Sequence, residues 1–149
     1  MSEFMVKKPE LTYDELKPNK EFEPYQMVVD DTMVGKFLAT IEDDNSIYRN
    51  ASAAKQWGYG RALAPHSLAA VYARASYLKN YTMPGGGILV KQDFHFFRPI
   101  QIGDHLLCKA KVMDRFQRKG RKYVVIETST YNQNRELVST VKIEAIWPK

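Results

Sequence analysis

Pro65-His-Ser-Leu-Ala-Ala-Val-Tyr-Ala-Arg-Ala-Ser-Tyr-Leu78 is the stretch that decides the fold. Leu68, Val71, Tyr72, Ala75 and Leu78 recur in it at spacings of three and four, which lays one apolar face along a helix running to about residue 79. Asn80 to Gly87 end that pattern with Pro84 and three consecutive glycines, and everything beyond is written with a period of two. Ile88, Val90, Phe94 and Phe96 read as one face of a strand. Leu106, Cys108, Ala110 and Val112 form the next stripe, and Leu137, Val141, Ile143, Ala145 and Trp147 form the last. Between them, residues 123 to 131 alternate less cleanly but are rich in β-forming side chains. Hairpin turns are expected near Gly120 and at residues 132 to 136.

Upstream of the helix, residues 23 to 29 read as a short strand. Asp30 or Asp31 then caps a helix carrying Val34, Phe37, Leu38 and Ile41 on one face. Residues 43 to 50 are loop-like, and Asn50 caps a short helix over 51 to 57 that Gly58 and Gly60 end. One long apolar-faced helix followed by four strands, with an earlier strand available to join them, implies an α+β class: an antiparallel sheet wrapped around a central helix, the hot-dog layout. Such a sheet leaves an edge strand and part of a face open, so the chain is expected to dimerise through its sheet, with a second copy or a related chain. The 149 residues fit one domain, and no internal repeat is visible. Residues 1 to 22, polar and punctuated by Pro9 and Pro18, read as an extended, loosely structured arm ahead of a domain over 23 to 149. Residues 1 to 4, before a second methionine at position 5, are set aside as an expression remnant.

Cys108 is the only cysteine, so neither an internal disulfide nor a cysteine-based metal site can be built, and a reducing, cytoplasmic compartment is expected. No apolar run approaches the roughly 18 to 20 residues that span a bilayer, so no membrane partner is expected. The net charge of +5 is mixed along most of the chain and does not require nucleic acid. The densest basic segment is Arg115, Arg118, Lys119, Arg121 and Lys122 around Gly120. It reads either as a solvated hairpin turn or as an attractive field for an anionic partner.

Specific residues carry a family resemblance. Ile41-Glu-Asp-Asp-Asn-Ser-Ile-Tyr-Arg-Asn50, Gly58-Tyr59-Gly60, Ala64-Pro65, Phe96-Phe97-Arg98-Pro99-Ile100, Gly103-Asp104 and Gly120-Arg121 occur in the order found in MaoC-like (R)-specific enoyl-coenzyme A hydratases and 3-hydroxyacyl dehydratases. The chain resembles above all the amino-terminal or companion hot-dog domains of that family, over residues 23 to 147. In the family the first segment runs Asp, any residue, Asn, Pro, any residue, His. Its Asp and His handle the water added to, or removed from, the acyl chain. Here Asp43 stands at the Asp position and Tyr48 at the His position.

The chemistry needs a proton taken from water and one delivered to the neighbouring carbon, a task for a positioned His or Asp. It also needs donors for the enolate oxygen, which backbone N–H groups at a helix start can supply. The resemblance places that start at His66 and Ser67, just after Pro65. Two departures stand out. A free tyrosine has a pKa of about 10, so near neutrality Tyr48 donates a hydrogen bond but is a poor base. His66 borders the point where catalytic members tend to place a glycine.

The resemblance therefore implies Asp43, Tyr48 and His66 as candidate catalytic residues, and Asn45, Pro65, Ser67 and Arg98 as candidate substrate contacts. Each has a plainer reading too. Asp43 suits a capping turn, and Asn45 fixes a loop through its side-chain amide. Arg98 beside Pro99 suits a strand end. His95 and His105 have no partners at metal-ligand spacing, so no metal is expected. No cofactor is expected either, because coenzyme A or an acyl-carrier thioester would be the substrate. The basic segment would then face coenzyme A phosphates or an acidic carrier protein.

The leading expectation is an acyl-thioester-binding subunit of a hydratase or dehydratase, acting in a homodimer or beside a hot-dog chain that carries the complete Asp and His pair. The alternatives are a self-sufficient hydratase using Asp43 with His66 or Tyr48, a hot-dog thioesterase, and a non-catalytic acyl-coenzyme A-binding or structural subunit.

Overall fold

Asp30, with its carboxylate accepting from the Met33 N–H at 2.7 Å, caps the first helix of the computed structural model, which describes residues 7–149. The expression-remnant reading of residues 1 to 4 lies outside the described residues. In chain order the elements are β1 (Tyr25–Val28), α1 (Asp31–Ile41), α2 (Ala51–Lys55), β2 (Leu63–Ala64), α3 (Ala69–Leu78), β3 (Ile88–Phe96), β4 (Ile100–Gln101), β5 (His105–Arg118), β6 (Arg121–Tyr131) and β7 (Leu137–Trp147). Five strands form one antiparallel sheet in the order β1-β5-β6-β7-β3, and β2 pairs with β4 in a separate two-stranded ladder. The sheet packs on α3 as the hot-dog layout requires, the core being built from α3, the inward faces of β5, β6 and β7, and α1 through Val34 and Leu38. No described helix is long and apolar enough to cross a bilayer.

Three local expectations change. The buried side of α3 consists of Leu68, Ala69, Tyr72, Ala73, Ser76 and Tyr77, whereas Val71, counted on the apolar face, is 48% exposed. Polar atoms misled the reading, because they are satisfied inside: the Tyr72 hydroxyl meets Ser139 Oγ at 2.6 Å and Ser76 Oγ meets Thr128 Oγ1 at 3.1 Å. In β3 the register against β7 shifts between Leu89 and Lys91, leaving Val90 as an extra residue. The pairing of Leu89 with Ala145 and of Gln92 with Ile143 then turns Leu89, Gln92, Phe94 and Phe96 to the inner face, while Ile88 turns outward. The third change concerns the described residues 7 to 22 of the arm, read as loosely structured. Leu11 and Leu16 are fully buried, Trp147 Nε1 donates to the Leu11 carbonyl at 2.8 Å, and Asn19 N donates to the Val112 carbonyl at 2.8 Å. Two leucines in a polar stretch are enough to seat it when the sheet offers free carbonyls.

Two buried groups set an alkaline limit. Burial pushes the Tyr72 hydroxyl up to about 12 and the Cys108 thiol up to about 11 from ordinary values of 10.0 and 9.0. A pKa higher in the folded than in the unfolded chain means that stability is complete below the ordinary value and is lost as pH rises through the folded one. Unfolding free energy is therefore expected to drop from about pH 9 to about pH 12, by on the order of 2 kcal/mol for each group. Urea titrations across that range check it; a profile as flat as that of a Tyr72→Phe, Cys108→Ala double variant would sink it.

Candidate functional site

Glu42 closes α1 in the left-handed conformation (φ 57°), and this turns the chain so that Asp43 leaves the helix axis while its N–H still reaches the Leu38 carbonyl at 3.0 Å. Two short-range carboxamide and carboxylate turns follow in series. Asp43 Oδ1 accepts from Asn45 N at 3.0 Å, and Asn45 Oδ1 accepts from Ile47 N at 3.1 Å. These bonds wind residues Ser46–Tyr48 into a 3-10 turn, and Arg49 Nη2 ties it back to the Asp43 carbonyl at 2.9 Å. Asn45 thus fixes the loop.

The half-buried Tyr48 ring packs on the core against α1 and, with Val34, Gly35 and Leu38, lines a cavity of about 290 Å³. Burial, and then the nearby Asp43 carboxylate, raises the Tyr48 hydroxyl above its ordinary value. Asp43 and Tyr48 are therefore brought together, and the phenol keeps its proton at neutral pH.

The second half of the site comes from the β2–β4 ladder, where Leu63 pairs with Gln101 and Ala64 with Ile100. It delivers the buried Pro65 to a 3-10 turn over His66–Leu68 that runs directly into α3. Proline fixes the turn's entry at φ −65°. Leu68 N bonds the Pro65 carbonyl at 3.1 Å, whereas the N–H groups of His66 and Ser67 make no hydrogen bond among the described residues. They are the unused donors of a helix start. The exposed His66 ring lies 4.4 Å from the Phe96 ring, which stacks on Phe94 at 5.8 Å. The Ser46–Tyr48 turn packs on β2, so both halves adjoin, but no hydrogen bond joins His66 to Asp43 or Tyr48 among the described residues.

Arg98 forms an ion pair of 2.9 Å with Glu136 and makes no hydrogen bond or ion pair with Asp43, Tyr48 or His66 among the described residues. His95 and His105 stand apart on exposed strand positions, and no three His, Cys, Asp or Glu side chains gather among the described residues. One component was not read from the sequence as part of the site. Asp104, only 3% exposed, accepts from Arg61 Nη2 at 2.8 Å, from Gln133 Nε2 at 3.1 Å and from Gln101 N at 2.9 Å. This clip holds β2 against β4 and so holds His66 and Ser67 in place. Its only local signal is Gly103-Asp104: Gly103 sits at φ +99°, and a Cβ there would come within 2.5 Å of Arg61 Nη1.

Comparison with known proteins agrees with this layout. The sequence profile of the FAS1-like dehydratase domain region matches residues 18–141. The unliganded (R)-hydratase PhaJ1 of Pseudomonas aeruginosa is similar over 92% of this chain and 85% of its own, with 22% identity and a TM-score of 0.77. The HadBC (3R-hydroxyacyl-ACP dehydratase) complex of Mycobacterium tuberculosis is similar over 87% of this chain and 96% of the other, again with 22% identity and a TM-score of 0.77. A monoamine oxidase regulatory protein of Archaeoglobus fulgidus reaches a TM-score of 0.80 at 20% identity, covering 97% and 99% of the two chains. At these identities the likeness establishes the fold. No curated protein sequence matches the chain.

Proposed function

Since this chain belongs to the family of the FAS1-like dehydratase domain region, we propose that it binds an acyl thioester as a subunit of an enoyl-thioester hydratase or 3-hydroxyacyl dehydratase, and that a partner chain supplies the complete Asp and His pair. The observation that carries this reading is Tyr48. It occupies the position of the base, yet burial and the Asp43 carboxylate keep its proton on. What the chain retains is the binding half of the chemistry. The free N–H groups of His66 and Ser67 are donors for a thioester oxygen, and the fold provides a groove between α3 and the inner face of β3. The thioester itself, on coenzyme A or a carrier protein, is the substrate, and no cofactor is called for.

The partner would dock along β3. It is the terminal strand of the sheet, and Leu89 and Val90 are 57% and 47% exposed on it. A strand edge of that length with apolar side chains on show is completed by pairing with another strand. The solved HadBC neighbour is itself a complex of two chains, which supports a paired assembly.

The test is hydration of crotonyl-coenzyme A and longer enoyl-coenzyme A substrates by the purified chain and by its Asp43→Asn form. The two are expected to be equally and negligibly active. Turnover by the wild type that disappears in Asp43→Asn would overturn the partner requirement in favour of a self-sufficient site, with Asp43 as acid or base and Tyr48 or His66 beside it.

A further inference from the structure

The largest cleft flanking α3 is a cavity of about 420 Å³, lined by Ala70, Arg74 and Tyr77 from the helix and by Leu89, Gln92 and Ile143 from the sheet, with Met83 and Trp147 adding apolar wall. His66, Ala70, Arg74 and Tyr77 follow one another at intervals of four, four and three, so they share one side of the helix. Phe96, Phe94, Gln92 and Leu89 form the facing row on the inner side of β3. The two rows begin together at the His66–Phe96 contact of 4.4 Å and run side by side to the cavity. The cavity itself begins at Ala70 on the helix, so an acyl chain whose thioester oxygen met His66 N and Ser67 N would have to run past Ala70 to reach Arg74. Eight residues of helix put Arg74 about 12 Å beyond His66.

Arg74 is an exposed residue on the wall of this cleft. It makes no ion pair and no hydrogen bond among the described residues, although it lies in a wall that is otherwise mostly apolar. The Tyr77 hydroxyl is close enough to feel its charge, and burial keeps that hydroxyl protonated and able to donate. The Gln92 amide faces the same space. We propose that the groove takes an acyl group ending in a carboxylate, that is, the monothioester of a dicarboxylic acid, with Arg74 as the specificity-determining residue and Tyr77 and Gln92 as accessory donors. This rests on the acyl-thioester reading above. A methyl-terminated chain of the same length offers the guanidinium no partner, and sites built to pair a polar group discriminate against ligands that lack it.

The test uses saturated, unreactive acyl-coenzyme A pairs of matched length, roughly eight to twelve carbons to suit a reach of about 12 Å, one member methyl-terminated and the other bearing a terminal carboxylate. Binding to the full chain is measured by calorimetry for the wild type and for Arg74→Met, an exposed position whose replacement leaves the core intact. The carboxylate member is expected to bind about 10- to 100-fold more tightly to the wild type and to lose that advantage in Arg74→Met. Equal binding of the two members overturns this proposal and leaves the acyl-thioester reading standing. Binding of neither overturns that reading and this one with it. A change in oligomeric state in Arg74→Met with the ligand preference intact makes Arg74 an interface residue and also overturns the proposal.

Discussion

Replacing Tyr48 with histidine is expected to raise hydration of crotonyl-coenzyme A by the isolated chain by about 100-fold or more, the lower end of what a positioned acid or base contributes. The loop that carries position 48 is already built. Asn45 holds Ile47 N, Asp43 holds Asn45 N, and Arg49 clamps the Asp43 carbonyl. None of these bonds involves the Tyr48 side chain, so the substitution leaves the scaffold of the loop unchanged. What the loop lacks is a group that titrates near neutrality. An imidazole with an ordinary pKa of about 6.5 supplies one: the burial that is the larger cause of the phenol's rise would lower it, and the Asp43 carboxylate would raise it. The rate of the variant should therefore increase with pH through a value near about 6.5, as the imidazole loses its proton and can act as a base. Tyr48→Phe is the control and, on the proposed reading, should match the wild type. Stopped-flow or steady-state absorbance at the enoyl thioester band reads all three proteins; a histidine variant no faster than the phenylalanine one would mean that the missing base is not what silences the chain.

The sheet and its central helix were legible because each obeys a period that the physics of burial imposes: two for strands, three to four for a helix. Details were lost where one residue changes phase. Val90 is an extra residue against β7, so a stripe counted from Ile88 lands on the wrong face until the bulge is known. Ser76 looks like a surface residue and Val71 like a core one until Thr128 and Ser139 are seen to satisfy the hydroxyls on the other side of α3. The loop of Asp43, Asn45 and Tyr48 could be read because its hydrogen bonds are local, spanning two residues each. Arg61 with Asp104 could not, since their partnership bridges 43 positions and the one local signal, Gly103 before Asp104, does not name the partner. The same holds for Arg74 with Gln92, which only the tertiary fold brings to one cavity.

Asp104→Ala is expected to cost about 3 kcal/mol of folding stability, the lower end for removing one member of a buried charged pair, because Arg61 is half-exposed and can rehydrate. The remainder of the loss comes from groups that cannot find water as easily. Gln101 N loses the acceptor at 2.9 Å that terminates the β4 turn, and Gln133 Nε2 loses its acceptor at 3.1 Å. A chain of this size should then melt roughly 10 °C lower, and urea unfolding should shift with an unchanged slope. Arg61→Ala leaves a carboxylate only 4% exposed with Gln101 N and Gln133 and no cation, so its cost should be similar, about 3 kcal/mol. The pair also bears on function. Arg61 Nη1 holds the Ile102 carbonyl at 2.7 Å, and Ile102 N holds the Ala62 carbonyl at 2.9 Å, so the clip sets the ladder that ends at Pro65. If thioester binding depends on where His66 N and Ser67 N are held, Arg61→Ala should weaken acyl-coenzyme A affinity even where the variant is fully folded, and Arg61→Lys should recover only part of it, because an ammonium cannot bridge Asp104 and Ile102 in the planar fork that a guanidinium provides. Matching affinities for wild type and Arg61→Ala, measured where both are fully folded, would confine the clip to a structural role.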